Sequence, residues 1–133
     1  MRTMPITILN DKNEIKEFLT KNGAKEHFKH KGFYGTPDNK VLAIKKNQYN
    51  KYSVYEVYGA VRKDGYVVLY IDGTTITKHR FIMECFNGKK PKGLEIDHVN
   101  SNKQDNTLSN LMYVTHAENM RKFWRERCSL NTF

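Results

Sequence analysis

Apolar positions along this chain change their spacing several times, and each change marks an element. Ile15, Phe18 and Leu19 form a helical stripe, Asp11 followed by Glu14 is a variant capping box, and Gly23 is a stop, so a helix is predicted near 11–22. Residues 25–39 are basic, hold Gly32, Gly35 and Pro37, and read as irregular. A β-meander is predicted next. Its runs are 41–44, the Tyr- and Val-rich 54–61, 66–71 and 75–77, and Asp64-Gly65 and Asp72-Gly73 supply turns between the later ones.

The C-terminal third has a different rhythm. Phe81, Ile82, Cys85 and Phe86 give a short helix an apolar face near 78–86, which Gly88 can end. After a basic turn over 88–93, Leu94-Glu95-Ile96 reads as a short strand, 99–109 as a polar loop and 111–114 as a second strand. Thr115 with Glu118 is a T-x-x-E capping box that opens a helix running to about residue 127, on which Met120 and Trp124 read as core. The fold class expected is α+β. A small N-terminal helix and basic irregular segment (1–40) precede a meander and a strand–loop–strand–helix core (41–133).

At 133 residues the length suits one compact domain. The formal charge of +9 favours an anionic partner, nucleic acid before a membrane surface. The surplus is uneven: ten Lys/Arg against Glu26, Asp38 and Glu56 between Lys21 and Lys63, but nine against six from Arg80 onward. Cys85 and Cys128 form no CxxC pair, which excludes a zinc ribbon, and they are too few for a secreted disulfide framework, so reduced thiols are expected. No apolar run is long enough to span a membrane, and the segment starting Met1-Arg2-Thr3-Met4-Pro5 lacks the apolar stretch of a signal peptide. A soluble, cytoplasmic protein is expected.

Polar groups sit at special points of the C-terminal core. Asp97-His98 ends the first strand, Asn110 ends the loop, and Asn119 lies in the first turn of the last helix. The run from His79-Arg80-Phe81 through Ile96-Asp97-His98-Val99-Asn100, Asn102-Lys103-Gln104-Asp105-Asn106, Leu108-Ser109-Asn110-Leu111 and Val114-Thr115-His116-Ala117-Glu118-Asn119 resembles the HNH endonucleases. This is the ββα-metal (His-Me finger) family, in the form carried by phage and intron homing nucleases. The motif spans about 79–124.

The resemblance implies hydrolysis of a double-stranded DNA phosphodiester, by nicking or double-strand cleavage, with 5′-phosphate and 3′-hydroxyl products. It implies that Asp97 and Asn119 hold one divalent ion, that His98 is the general base, and that Asn110 ties the loop ends together to aim His98. One carboxylate and one amide suit a hard ion such as Mg²⁺ or Mn²⁺. Imidazole, titrating near pH ~6.5, has a proton-accepting form at neutral pH. His116, three residues before Asn119, is the rival ligand.

Adjacent strand residues point to opposite faces, so a bend is expected if Asp97 and His98 are to serve one phosphate. His79 reads as a hydrogen-bonded core histidine. His27 and His30, interleaved with lysines, read as part of a charged loop. Lys25, Lys29, Lys31, Arg80, Lys89, Lys90 and Lys122 are candidate phosphate contacts. Tyr49, Tyr52, Tyr55 and Tyr58 suit base stacking or cross-strand packing. If the chain is phage-encoded it would act in the host cytoplasm. Monomer and homodimer both stay open, and a catalytically silent DNA-binding module on the same scaffold is the alternative.

Overall fold

A computed structural model of the chain describes residues 4–130, with side chains through residue 128; Met1, Arg2 and Thr3 of the signal-peptide reading lie outside the described residues. The elements in chain order are β1 (Thr7–Leu9), α1 (Lys12–Asn22), β2 (Lys25–Glu26), β3 (Phe33–Gly35), β4 (Val41–Lys46), β5 (Tyr52–Glu56), β6 (Ala60–Val61), β7 (Val67–Ile71), β8 (Thr74–Thr77), α2 (Lys78–Asn87), β9 (Leu94–His98), a 3-10 turn (Leu108–Asn110), β10 (Leu111–Thr115) and α3 (His116–Leu130). The class is α+β, with every paired strand among the described residues antiparallel.

The local signals act as read. Asp11 caps α1 by accepting from Glu14 N–H, and Gly23 closes it at φ 63°. Asp72 (φ 52°) and Gly73 (φ 77°) both sit in the left-handed region, as a two-residue hairpin between β7 and β8 requires. Thr115 and Glu118 cap α3 reciprocally, Glu118 N–H to Thr115 Oγ1 at 3.1 Å and Thr115 N–H to Glu118 Oε1 at 2.8 Å.

Long-range pairing departs from the pattern. The stretch 25–39 is not irregular: it contributes β2 and β3 to a five-stranded sheet ordered β1-β5-β4-β3-β2. The run 54–61 is not one strand. It leaves that sheet after Glu56 and enters a second sheet, β6-β7-β8, at Ala60. Gly59 sits at the crossing, where a Cβ would lie 2.5 Å from Val67 Cγ1 and 2.7 Å from the Val68 carbonyl. Close backbone approach there admits only glycine.

The main core gathers Val41, Leu69, Ile71, Phe81, Ile82, Ile96 and Leu111, so α2 is packed by residues from all three sheets. Phe81, Ile82 and Leu69 are fully buried, each contributing about 1.5–3 kcal/mol by removal from water. A smaller cluster of Leu9, Leu42 and Val54 lies under α1. Phe123 and Trp124 of α3 stack edge to face at 5.4 Å, and Trp124 is 54% exposed, so it is not the core residue expected. Among the described residues no helix is long and apolar enough to cross a membrane.

Candidate active site

The antiparallel pair β9–β10 presents its turn-forming loop at one end and α3 across one face. His98 pairs with Leu111 and Asp97 with Met112 in this ladder. Strand alternation therefore sends the two side chains apart. Asp97 meets Lys122 on α3, its Oδ2 accepting from Nζ at 2.9 Å. His98 turns inward, 4% exposed, with its ring 5.0 Å from that of His79 on α2 and 5.9 Å from that of Tyr66. Both residues still line one cavity of about 220 Å³, with Asn119, Lys122, Lys103 and Tyr66. The pocket opens where β9 ends, so a common site does not depend on both side chains sharing a strand face.

Asn119 is oriented from behind. Its Nδ2 donates to Glu95 Oε1 at 2.9 Å, which leaves Oδ1 as the atom able to meet a cation. Glu95 also takes His116 Nδ1–H on Oε2 at 2.8 Å. Those two hydrogen bonds, Asn119's first, hold the Glu95 carboxyl below its ordinary range. His116 is 75% exposed and turned to Glu95.

The polar loop is a mesh of amides. Asn110 Oδ1 accepts from Asn100 N–H at 3.0 Å, and its Nδ2 donates to Asn100 Oδ1 at 2.9 Å and to the Asp105 carbonyl at 2.8 Å. The Val99 N–H to Asn110 carbonyl bond at 2.8 Å closes the base of the loop. Asn106 is fully buried, with its Oδ1 2.7 Å from His98 Nε2.

The donor set fits a hard cation. Among the described residues no three His, Cys, Asp or Glu side chains gather into a cage. What exists is one carboxylate and one amide oxygen bordering a common pocket, with an ammonium already drawn to the carboxylate. Lys122 Nζ also donates to the carbonyls of His98 (2.7 Å) and Val99 (3.2 Å), so a cation is favoured at this strand end. Open coordination positions for water and phosphate are what such a sparse set provides.

Comparison with known proteins bears on the same stretch. Residues 77–121 match the family model for the HNH endonuclease. That stretch is therefore similar to an HNH endonuclease domain. Its structure is similar to that of the HNH homing endonuclease I-HmuI, from work on DNA binding and cleavage by that protein, with a TM-score of 0.63 and 25% identity. The match covers 82% of this chain and 61% of that one, so the chain spans under two thirds of that protein's length. No curated protein matches the chain.

Other candidate residues are scattered. Lys25 is exposed on β2, and Lys31 is exposed and 3.7 Å from Glu26. Lys29, Arg80 and Lys89 border a second depression of about 430 Å³ together with His27 and His30. Lys90 is committed to its own turn, Nζ donating to the Leu94 carbonyl at 2.6 Å.

His27 and His30 are not a charged loop: they are 1% and 7% exposed. His27 Nδ1 accepts the N–H of Lys29 and His30, and Nε2 donates to buried Glu84 at 3.1 Å. Burial outweighs Glu84's attraction and lowers the His27 pKa. Glu84 also accepts from Arg80 Nε at 3.4 Å and Lys90 N–H at 3.1 Å. His79 Nδ1 is buried without a hydrogen-bond partner among the described residues, contrary to the hydrogen-bonded core residue expected.

Three residues near the site escaped sequence reasoning: Tyr66, Glu95 and Lys103. Lys103 Nζ lies 4.7 Å over the Tyr66 ring and donates to the Asp64 carbonyl at 2.8 Å, pinning the loop to the β6–β7 hairpin. Glu95 stands two residues before Asp97, the interval that puts strand side chains on one face, and that spacing was the available signal.

Proposed function

We propose that the chain is a metal-dependent HNH DNA endonuclease that hydrolyses phosphodiester bonds, of homing type or phage-encoded, acting in the cytoplasm. The observation that carries this reading is the convergence of Asp97, His98 and Asn119 on one small pocket bordered by Lys103 and Lys122. Asp97 and Asn119 Oδ1 would hold one Mg²⁺ or Mn²⁺. That ion would supply charge neutralisation on the scissile phosphate and on the leaving 3′-oxygen. His98 takes the proton of the attacking water, and Asn110 keeps the loop closed so that the imidazole stays aimed. Lys25, Lys29, Lys31, Arg80 and Lys89 meet phosphates of the duplex by charge alone, Lys90 from its turn, and Lys122 would be free to meet the substrate phosphate once Asp97 held the ion. Products carry 5′-phosphate and 3′-hydroxyl ends.

Supercoiled plasmid incubated with and without Mg²⁺ tests this, with nicked and linear products separated. His98→Ala should lower the rate about 100-fold or more while DNA binding persists, the usual loss for a general base. Asp97→Ala and Asn119→Ala should each weaken metal binding and abolish cleavage, and His116→Ala should change little. Cleavage lost with His116→Ala but kept with Asn119→Ala would reassign the ligand. A second reading, a DNA-binding module without chemistry, is favoured by one observation: the Lys122 ammonium already occupies Asp97. Intact plasmid at every metal concentration, with DNA still bound, would establish that reading instead.

A further inference from the structure

We infer that Asn106 is a positioning residue for His98: its side-chain oxygen determines which imidazole nitrogen carries the proton, and therefore which one is left to take a proton from water. The inference rests on the assignment of His98 as the base.

Asn106 is 0% exposed, in a loop that is otherwise mostly polar and open to solvent. Burying an amide is costly unless it is hydrogen-bonded. The bond it makes is to His98, with Oδ1 2.7 Å from Nε2, while its buried Nδ2 has no partner among the described residues. An amide oxygen only accepts, so Nε2 must carry the hydrogen, and a neutral imidazole protonated at Nε2 keeps its lone pair on Nδ1. The other neighbours of the ring, His79 edge-on at 5.0 Å and Tyr66 at 5.9 Å, are aromatic surfaces that support it without competing for Nε2. Asn106 thus sets both the tautomer and the tilt of the base.

The loop explains how Asn106 comes to be aimed there. Asn110 Nδ2 holds the carbonyl of Asp105, the residue before Asn106. The Asp105 carboxylate accepts the N–H of Thr107, the residue after it, at 3.2 Å, and is itself held by Asn100 Nδ2 at 2.9 Å. Asn106 is clamped on both sides. The loop closure made by Asn110 therefore reaches His98 through Asn106, which converts a backbone constraint into an imidazole orientation.

The test labels the five histidines of the full chain with ¹⁵N and reads their protonation pattern at neutral pH without metal or DNA, with His98 assigned from His98→Gln. Wild-type His98 should show a protonated Nε2 and a bare Nδ1. Asn106→Ala should scramble that pattern and lower kcat about 10- to 100-fold at unchanged KM, as loss of a group that orients a reactive side chain does. Asn106→Asp keeps an acceptor oxygen in the same place and should keep the proton on Nε2. This near-isosteric variant also guards against an Ala variant that fails to fold. A wild-type His98 protonated at Nδ1, or a pattern unmoved by Asn106→Ala, would overturn the inference. The spectrum needs no cleavage, so an inactive wild-type protein would refute the nuclease reading while the tautomer result still decides the role of Asn106.

Discussion

Replacing His79 with Phe should flatten the acid side of this protein's stability curve. The His79 ring lies between Tyr66, at 5.1 Å, and His98, at 5.0 Å. Burial first, then repulsion from His98, Arg62 and Arg80, pushes its pKa from 6.5 down to about 4. In the unfolded chain His79 takes a proton below pH ~6.5, whereas in the folded chain it refuses one until about pH 4. Across that window the unfolded state binds more protons, so stability falls as pH falls. At about 1.4 kcal/mol per pH unit the interval caps the His79 share at about 3 kcal/mol, with partial solvent access reducing it. Phe keeps the ring contacts and removes a buried Nδ1 that has no partner among the described residues, so its cost at neutral pH should be small. Urea unfolding of both proteins at constant ionic strength, from neutral pH down to about pH 4, measures the difference. The wild type should lose stability faster, by a slope of up to one proton. His27, whose pKa is also lowered, contributes equally to both curves and cancels. Parallel curves would refute the reasoning.

Three further outcomes follow from particular contacts. Gly59→Ala should cost about 1–3 kcal/mol by overpacking against Val67 and the Val68 carbonyl, seen as a lower urea midpoint with an unchanged m-value. Lys122→Met should tighten Mn²⁺ binding roughly tenfold by calorimetry, about 1.4 kcal/mol, because the ion no longer displaces an ammonium from Asp97; unchanged or weaker binding would show that the pair does not compete with metal. Neutralising Lys25, Lys29 and Lys31 together should flatten the salt dependence of DNA affinity and leave the rate of the bound complex nearly unchanged, whereas an identical slope would move the footprint to other residues.

How much of this was legible in the sequence depends on the range of each interaction. The ends of α1, the Asp72-Gly73 hairpin and the cap of α3 are each decided within about four residues, and each was readable. The C-terminal strand–loop–strand–helix order followed from the same signals. The five-stranded sheet was not readable, because β2 and β3 are two and three residues long and are held by pairing with residues distant along the chain. His27 resembled a loop residue because its neighbours are lysines, and its burial is explained by Glu84 and Phe81, far along the chain. At the site, spacing drew attention to Asp97, His98, Asn110 and Asn119, but not to the roles of Glu95 or Lys122. Those roles depend on which face of α3 lies over β9, a tertiary fact.

The Glu84 joint has a consequence for any attempt to transplant the segment 77–121. Glu84 is 2% exposed within the stretch 77–121, yet one of its hydrogen-bond partners, His27, lies in the connection between β2 and β3 of the N-terminal sheet. A cassette cut at the motif boundaries and grafted onto another scaffold would carry a carboxylate into an apolar interior with its imidazole left behind. Arg80 Nε and the Lys90 N–H would still reach Glu84 Oε2, but Oε1 would lose its buried partner, at a cost of about 1–3 kcal/mol. The smallest portable unit is therefore larger than the motif. It must include the β2–β3 turn or replace Glu84 with a neutral residue of similar volume.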